Sequence, residues 1–172
     1  MKSVFNTQQI KIVNEAVAVA EELVSNFYKI SMSQWLKNRY DFVTMSRLTR
    51  SEIIDGPHAQ VIRYVGYNKS DTLGSSAFDY YKICIQDYKI ISTVKKTEGL
   101  NLFPFVLYIS VHELIHVVRF SRFVHNYNIS SESDVVREEE IAVHAMTREI
   151  LETVAFEGMD NVFSYYNKWY HA

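Results

Sequence analysis

His112-Glu113-Leu114-Ile115-His116 constrains this 172-residue chain more than any other stretch of it. Two histidines four residues apart share one face of a helix, so both imidazoles can point at a single ion. With His112 as the origin and about 100° allowed per residue, His116 falls at about 40° and Glu113 at about 100°. On the same wheel Phe105 and Phe123 fall at about 20°, Ile109 at about 60°, Phe120 at about 80°, and Val106 and Val124 at about 120°. The three polar residues therefore lie inside the most apolar stripe of a helix expected from Phe103 or Phe105 to Val124. Two imidazoles and a carboxylate are costly in such surroundings unless they are paired or bound to a metal.

A further ligand is expected from the next helix, read over about Ser133 to Phe156 and ending near Gly158. With Val135 as the origin, the residues Val143, Met146, Ile150 and Val154 fall between about 20° and about 100°. Glu139, at about 40° on that wheel, is the preferred inward acid, and Glu140, at about 140°, is the register alternative. Glu140 is supported by His144 four residues on, which reads as a partner standing behind the ligands or as an additional ligand. Glu138 falls on the solvent side, where an acid favours the first turn of a helix.

The rest of the chain frames this pair of helices. Ile10, Val13, Val17, Ala20, Val24 and Phe27 recur at steps of three and four, giving an amphipathic helix with Thr7 as its N-cap, continuing through Trp35 and Leu36. Asp55-Gly56-Pro57 is a strong break. Ala59 to Tyr67 reads as a strand, Asn68 to Ser76 as a loop, and Tyr81 to Ile85 as a half-buried strand that could run on to Ile91. Lys95 to Asn101 is a polar connector, and Asp160 to Tyr170 a short aromatic helix usable as core or as an oligomer surface. The fold class is α+β: mostly helical, with a small antiparallel sheet beside the motif helix. One domain is expected, with a helical part over 1–54, a small sheet over 55–101 and the motif and C-terminal helices over 102–172.

Composition narrows the partners. Hydrophobic residues are 48% of the chain and the net charge is −2, which fits a packed core and not a disordered chain. The 18 Lys and Arg are scattered among 20 acids, so no broad basic face for nucleic acid is expected. The longest apolar run, Leu102 to Val111, is short for a membrane span. A single cysteine, Cys84, suits a reducing compartment, and a cytoplasmic protein is expected.

A helix with His-Glu-x-x-His, followed by a helix with an inward Glu, resembles the gluzincin class of zinc metallopeptidases. Its layout is similar to the compact cytoplasmic ImmA/IrrE proteases, although their Glu-Ala-Asn-x-Phe-Ala string is not reproduced. The resemblance spans about Phe103 to Leu151 and the preceding sheet, and implies a minimal zincin-like fold. It implies one Zn²⁺ per chain held by His112, His116 and Glu139 or Glu140, with Glu113 as general base and a peptide or protein as substrate. It also implies an edge strand that pairs with the substrate, for which Tyr81 to Ile85 is the candidate. Arg122, His125 and Tyr127 could lie near the site and stabilise an oxyanion.

Two other readings compete. Glu113-x-x-His116 matches half of a di-iron carboxylate site, though the expected second Glu-x-x-His is missing. A non-enzymatic interaction protein with a structural metal would instead need a closed fourth position, with His144 as occupant.

Overall fold

The computed structural model describes residues 1–37, 39–67, 77–122 and 133–171. The first helix, α1 (Thr7–Tyr28), buries Val13, Ala16, Ala20 and Val24, a row that small and β-branched side chains keep narrow enough for close helix packing. Its cap is Asn6, not Thr7. Asn6 Oδ1 accepts from Gln9 N at 2.9 Å, and Gln9 Oε1 accepts from Asn6 N at 2.9 Å, so two otherwise orphaned donors are satisfied together. The helix stops at Lys29, which is left-handed at φ 51°. The stretch containing Trp35 is therefore a separate helix, α2 (Met32–Lys37), folded back so that Trp35 Nε1 donates to Ser25 Oγ at 2.8 Å.

The expected all-helical N-terminal part contains a strand, β1 (Arg39–Val43), followed by two 3-10 turns, Met45–Arg47 and Arg50–Glu52. β2 (Ala59–Tyr67) has the bounds read from the sequence. It follows Gly56, whose φ of +114° only glycine adopts without strain. The expected loop Asn68 to Ser76 lies outside the described residues. β3 (Ala77–Ile85) completes a three-stranded sheet in the order β1-β3-β2. Val43 lies opposite Cys84 in a parallel pair, and Val61 lies opposite Ile83 in an antiparallel pair. The sheet is therefore mixed, not antiparallel.

That order makes β3 the central strand. Tyr81, Ile83, Cys84 and Ile85 are all buried, so the strand expected to be half-buried is covered on both faces at these residues, and β3, as the central strand, offers no free edge. Nor does it continue to Ile91: the chain turns into α3 (Asp87–Lys96). Asp87 makes that turn useful, because its buried carboxylate accepts from Phe5 N and Met45 N, both at 3.0 Å. Three distant segments are thereby tied at one point.

α4 (Leu102–Arg122) is the axis of the fold, with every residue from Pro104 to Val118 buried. It packs along α1 on one side, and against β2 and α5 (Ser133–Glu152) elsewhere. Each fully buried Leu, Ile, Val or Phe contributes about 1.5–3 kcal/mol, so this helix dominates core stability. Among the described residues it is the helix long and apolar enough to cross a membrane, but 83% of that window is buried inside the protein. α5 ends at Glu152, short of Phe156. Gly158, left-handed at φ +81°, opens α6 (Met159–Tyr165), and a 3-10 turn at Asn167–Trp169 follows. Tyr166 packs face to face on Tyr108 at 4.3 Å, so the C-terminal aromatic segment serves the core beside the motif. The architecture is α+β and mostly helical.

Candidate metal centre

The motif residues reach the middle of α4 in the orientation that helical spacing requires. His112, Glu113 and His116 are each no more than 7% exposed. The two Nε2 atoms stand 3.1 Å apart and converge on α5. There, Glu140 Oε2 lies 3.2 Å from His112 Nε2, and Glu140 Oε1 lies 2.9 Å from His116 Nε2. One donor atom from each of His112, His116 and Glu140 falls within 4.8 Å of the others.

Glu139 is elsewhere. It forms a forked pair with Arg119, with Nε to Oε1 at 2.6 Å and Nη2 to Oε2 at 2.7 Å. The preference for Glu139 is thus corrected, and the cause is visible in α5. Its buried residues are Val143, His144, Thr147, Ile150 and Leu151, while Val135 is exposed. On the wheel anchored at Val135 this face centres at about 120°, close to Glu140 at about 140° and well off Glu139 at about 40°. Counting only apolar residues left out His144 and Thr147, which are polar and buried.

His144 lies behind the acid, its Nε2 3.9 Å from Glu140 Oε2. Its Nδ1 is 2.8 Å from the Tyr108 hydroxyl, which is itself 2.8 Å from the Tyr170 hydroxyl. Trp169 stacks on the His144 ring at 4.7 Å. Burial pushes His144 down to about 3, which keeps the imidazole neutral.

The charges of the cluster are coupled. Burial opposes ionisation of Glu140, but hydrogen bonds from His112 and His116 outweigh it and hold the carboxyl well below its usual range. For His116 burial opposes the cation, while Glu140 and then Glu113 raise it above its ordinary value. Glu113 is raised by burial, and its carboxylate has no hydrogen-bond partner among the described residues. The Nδ1 atoms of His112 and His116 are also buried without partners there.

The donor set fits a small divalent cation. A tetrahedral ion with ligands at about 2.0–2.1 Å separates its donors by roughly 3.3 Å, close to the 2.9–3.2 Å seen here. Two imidazoles and one carboxylate suit zinc and leave one position for a further ligand.

A cleft of about 690 Å³ opens onto this cluster, with the start of β2 along one side. β2 pairs with β3 alone among the described strands, so its other edge carries no strand among the described residues. His58 O accepts from Gln86 N at 2.9 Å, which by alternation turns the backbone groups of Ala59 and Val61 away from β3. β2, not β3, is thus the edge beside the motif.

Tyr166 is a member of this cleft that the sequence did not single out. Its phenol has no hydrogen-bond partner among the described residues and lies within electrostatic range of Glu113 and Glu140. Burial holds it well above its ordinary value, so it is a hydrogen-bond donor at neutral pH. Among 12 tyrosines no spacing rule marks it. Arg122 is on the surface over the Tyr28 ring at 5.4 Å. His125 and Tyr127 lie outside the described residues.

No family model, curated protein or solved structure matches this chain.

Proposed function

We propose that this chain is a zinc-dependent hydrolase, most simply a peptidase of the gluzincin kind, with one Zn²⁺ held by His112, His116 and Glu140. The observation that carries the proposal is the convergence of those three donors, from two helices, at the floor of an open cleft. Held there, the ion would supply Lewis acidity, making a water easier to deprotonate and a carbonyl easier to attack. Glu113, buried and held above its ordinary pKa, would take a proton from the attacking water and return it to the leaving amine. Tyr166 donates a hydrogen bond to the oxygen that gains charge in the transition state. The outer edge of β2 at Ala59 to Val61 pairs with the extended substrate backbone. The lone buried Cys84 fits the cytoplasm, which we include in this proposal.

One observation favours a second reading. His144 Nε2 stands near enough to Glu140 to become a fourth protein ligand after a small shift, which would close the site and make it structural. Elemental analysis of the purified chain beside a His112→Ala, His116→Ala variant tests the centre itself. One zinc per wild-type chain and none in the variant is expected; two irons supports the di-iron alternative, and stoichiometric metal retained in the variant removes the site. Peptide hydrolysis by the zinc-loaded chain, abolished in Glu113→Gln, separates the open site from the closed one.

A further inference from the structure

We infer that the substrate of this centre carries a carboxylate, received by Lys89 and Lys168. The inference rests on the hydrolase reading above and adds a substrate class to it. Among the described residues two acids line the cleft, Glu113 and Glu140, and both belong to the proposed metal-binding set. The charges left over are the two lysines, and they arrive from opposite parts of the fold. Lys89 projects from the first turn of α3, whose position is fixed by the Asp87 bonds to Phe5 and Met45. Lys168 comes from the final 3-10 turn, with its ammonium 5.6 Å from the Trp169 ring that also covers His144.

Neither lysine has an ion-pair partner among the described residues. Lys2 and Lys82 do: they are held at 2.7 Å by Asp55 and at 2.8 Å by Glu52. Asp55 acts electrostatically with Lys89 but is already bonded to Lys2 and to the Tyr88 hydroxyl at 2.7 Å. A bound dication would balance the two acids, so among the described residues the two lysines leave the cleft cationic on a chain whose net charge is −2. Lys89 is half-buried, where a charge pair at contact is worth more than in water, and Lys168 is exposed and adds a second, more screened cation, so an anionic group is selected over a neutral one. Tyr165, Tyr166 and Trp169 line the cleft beside these charges and suit the uncharged remainder of a peptide.

The carboxylate can come from an acidic side chain or from a chain terminus, and metal-directed probes distinguish them. Calorimetric binding to the zinc-loaded full chain would compare acetohydroxamate with the monohydroxamates of succinic, glutaric and adipic acid. At least one carboxylate-bearing probe should bind roughly ten- to a hundredfold more tightly than acetohydroxamate. That gain should fall in Lys89→Gln and Lys168→Gln, whose zinc content and circular dichroism remain those of the wild type. Two peptide hydroxamates, one with an aspartate and an amidated end and one neutral with a free end, then assign the source. Zinc uptake with no gain from any carboxylate, or a gain that survives both substitutions, overturns the inference and leaves the hydrolase reading standing. Failure to take up zinc at all removes both.

Discussion

Glu140 Oε1 lies 2.9 Å from His116 Nε2, across the seam between α5 and α4. Its neighbour Glu139 crosses the same seam to Arg119 at 2.6 Å. Two consecutive acids thus serve different ends, one at the candidate metal centre and one at a part-buried ion pair.

The two should separate cleanly on substitution. Glu140→Gln is expected to lose stoichiometric zinc, because an amide is a weak ligand in place of a carboxylate. Glu139→Gln should keep zinc and lose about 1–3 kcal/mol of stability, as expected for a part-buried, forked, charge-assisted pair. Elemental analysis and chemical denaturation measure both. Equal zinc loss in the two variants would contradict the geometry.

Glu113→Gln should retain zinc while peptide turnover falls about 10²–10⁴-fold, the range expected for loss of a positioned proton carrier. The measurement is kcat on a common peptide substrate beside metal content. Unchanged turnover would show that Glu113 moves no proton.

Tyr108→Phe removes the hydroxyl that joins His144 to Tyr170. The His144 Nδ1 is left buried and unpaired, at a cost of about 1–3 kcal/mol. If His144 steadies Glu140, zinc affinity should also fall, by roughly tenfold or more. Competition with a zinc chelator reports the affinity, and wild-type affinity in the variant would make the Tyr108 contact purely structural.

A fourth expectation concerns the far side of the sheet. Glu52 is nearly buried and receives Lys82 Nζ on both oxygens at 2.8 Å, with Tyr64 OH also at 2.8 Å. Lys82 first, then the Thr49 backbone, pulls its pKa down to about 2 from an ordinary 4.5. A carboxylate depressed in the folded state adds stability above the unfolded value and loses it as pH falls toward the folded one. Wild-type stability should therefore drop between pH 4.5 and 2 more steeply than that of Glu52→Gln. Denaturant midpoints across that range check the difference; parallel curves would refute it.

Much of this architecture was legible in advance because it follows from spacing. α4 and its inward His112, Glu113 and His116 come from one apolar stripe, and β2 from a run of β-branched and aromatic residues. β1 was not legible: at five residues, with Arg39 and Asp41 in it, the strand exists because β3 supplies a pairing partner. α3 was hidden for the opposite reason. Ile90, Ile91, Thr93 and Val94 favour a strand locally, and the bonds to Asp87 help hold a helix there instead. Placing Glu140 required knowing that a histidine and a threonine share the buried face of α5. Choosing Tyr166 required knowing which of many similar rings stacks on Tyr108.

The adjacency of Glu139 and Glu140 also governs how α5 can seat. Successive side chains on a helix diverge by about 100°, so the two acids straddle α4 like the tines of a fork. Sliding α5 one way would carry Glu140 to the guanidinium and bring Ile141 to the imidazoles, whereas the opposite slide would offer Glu138 and Glu139 to the same two partners. Charge therefore forbids one misalignment of the two helices, and the other is left to the buried face of Val143, Thr147, Ile150 and Leu151, which such a slide would turn toward water.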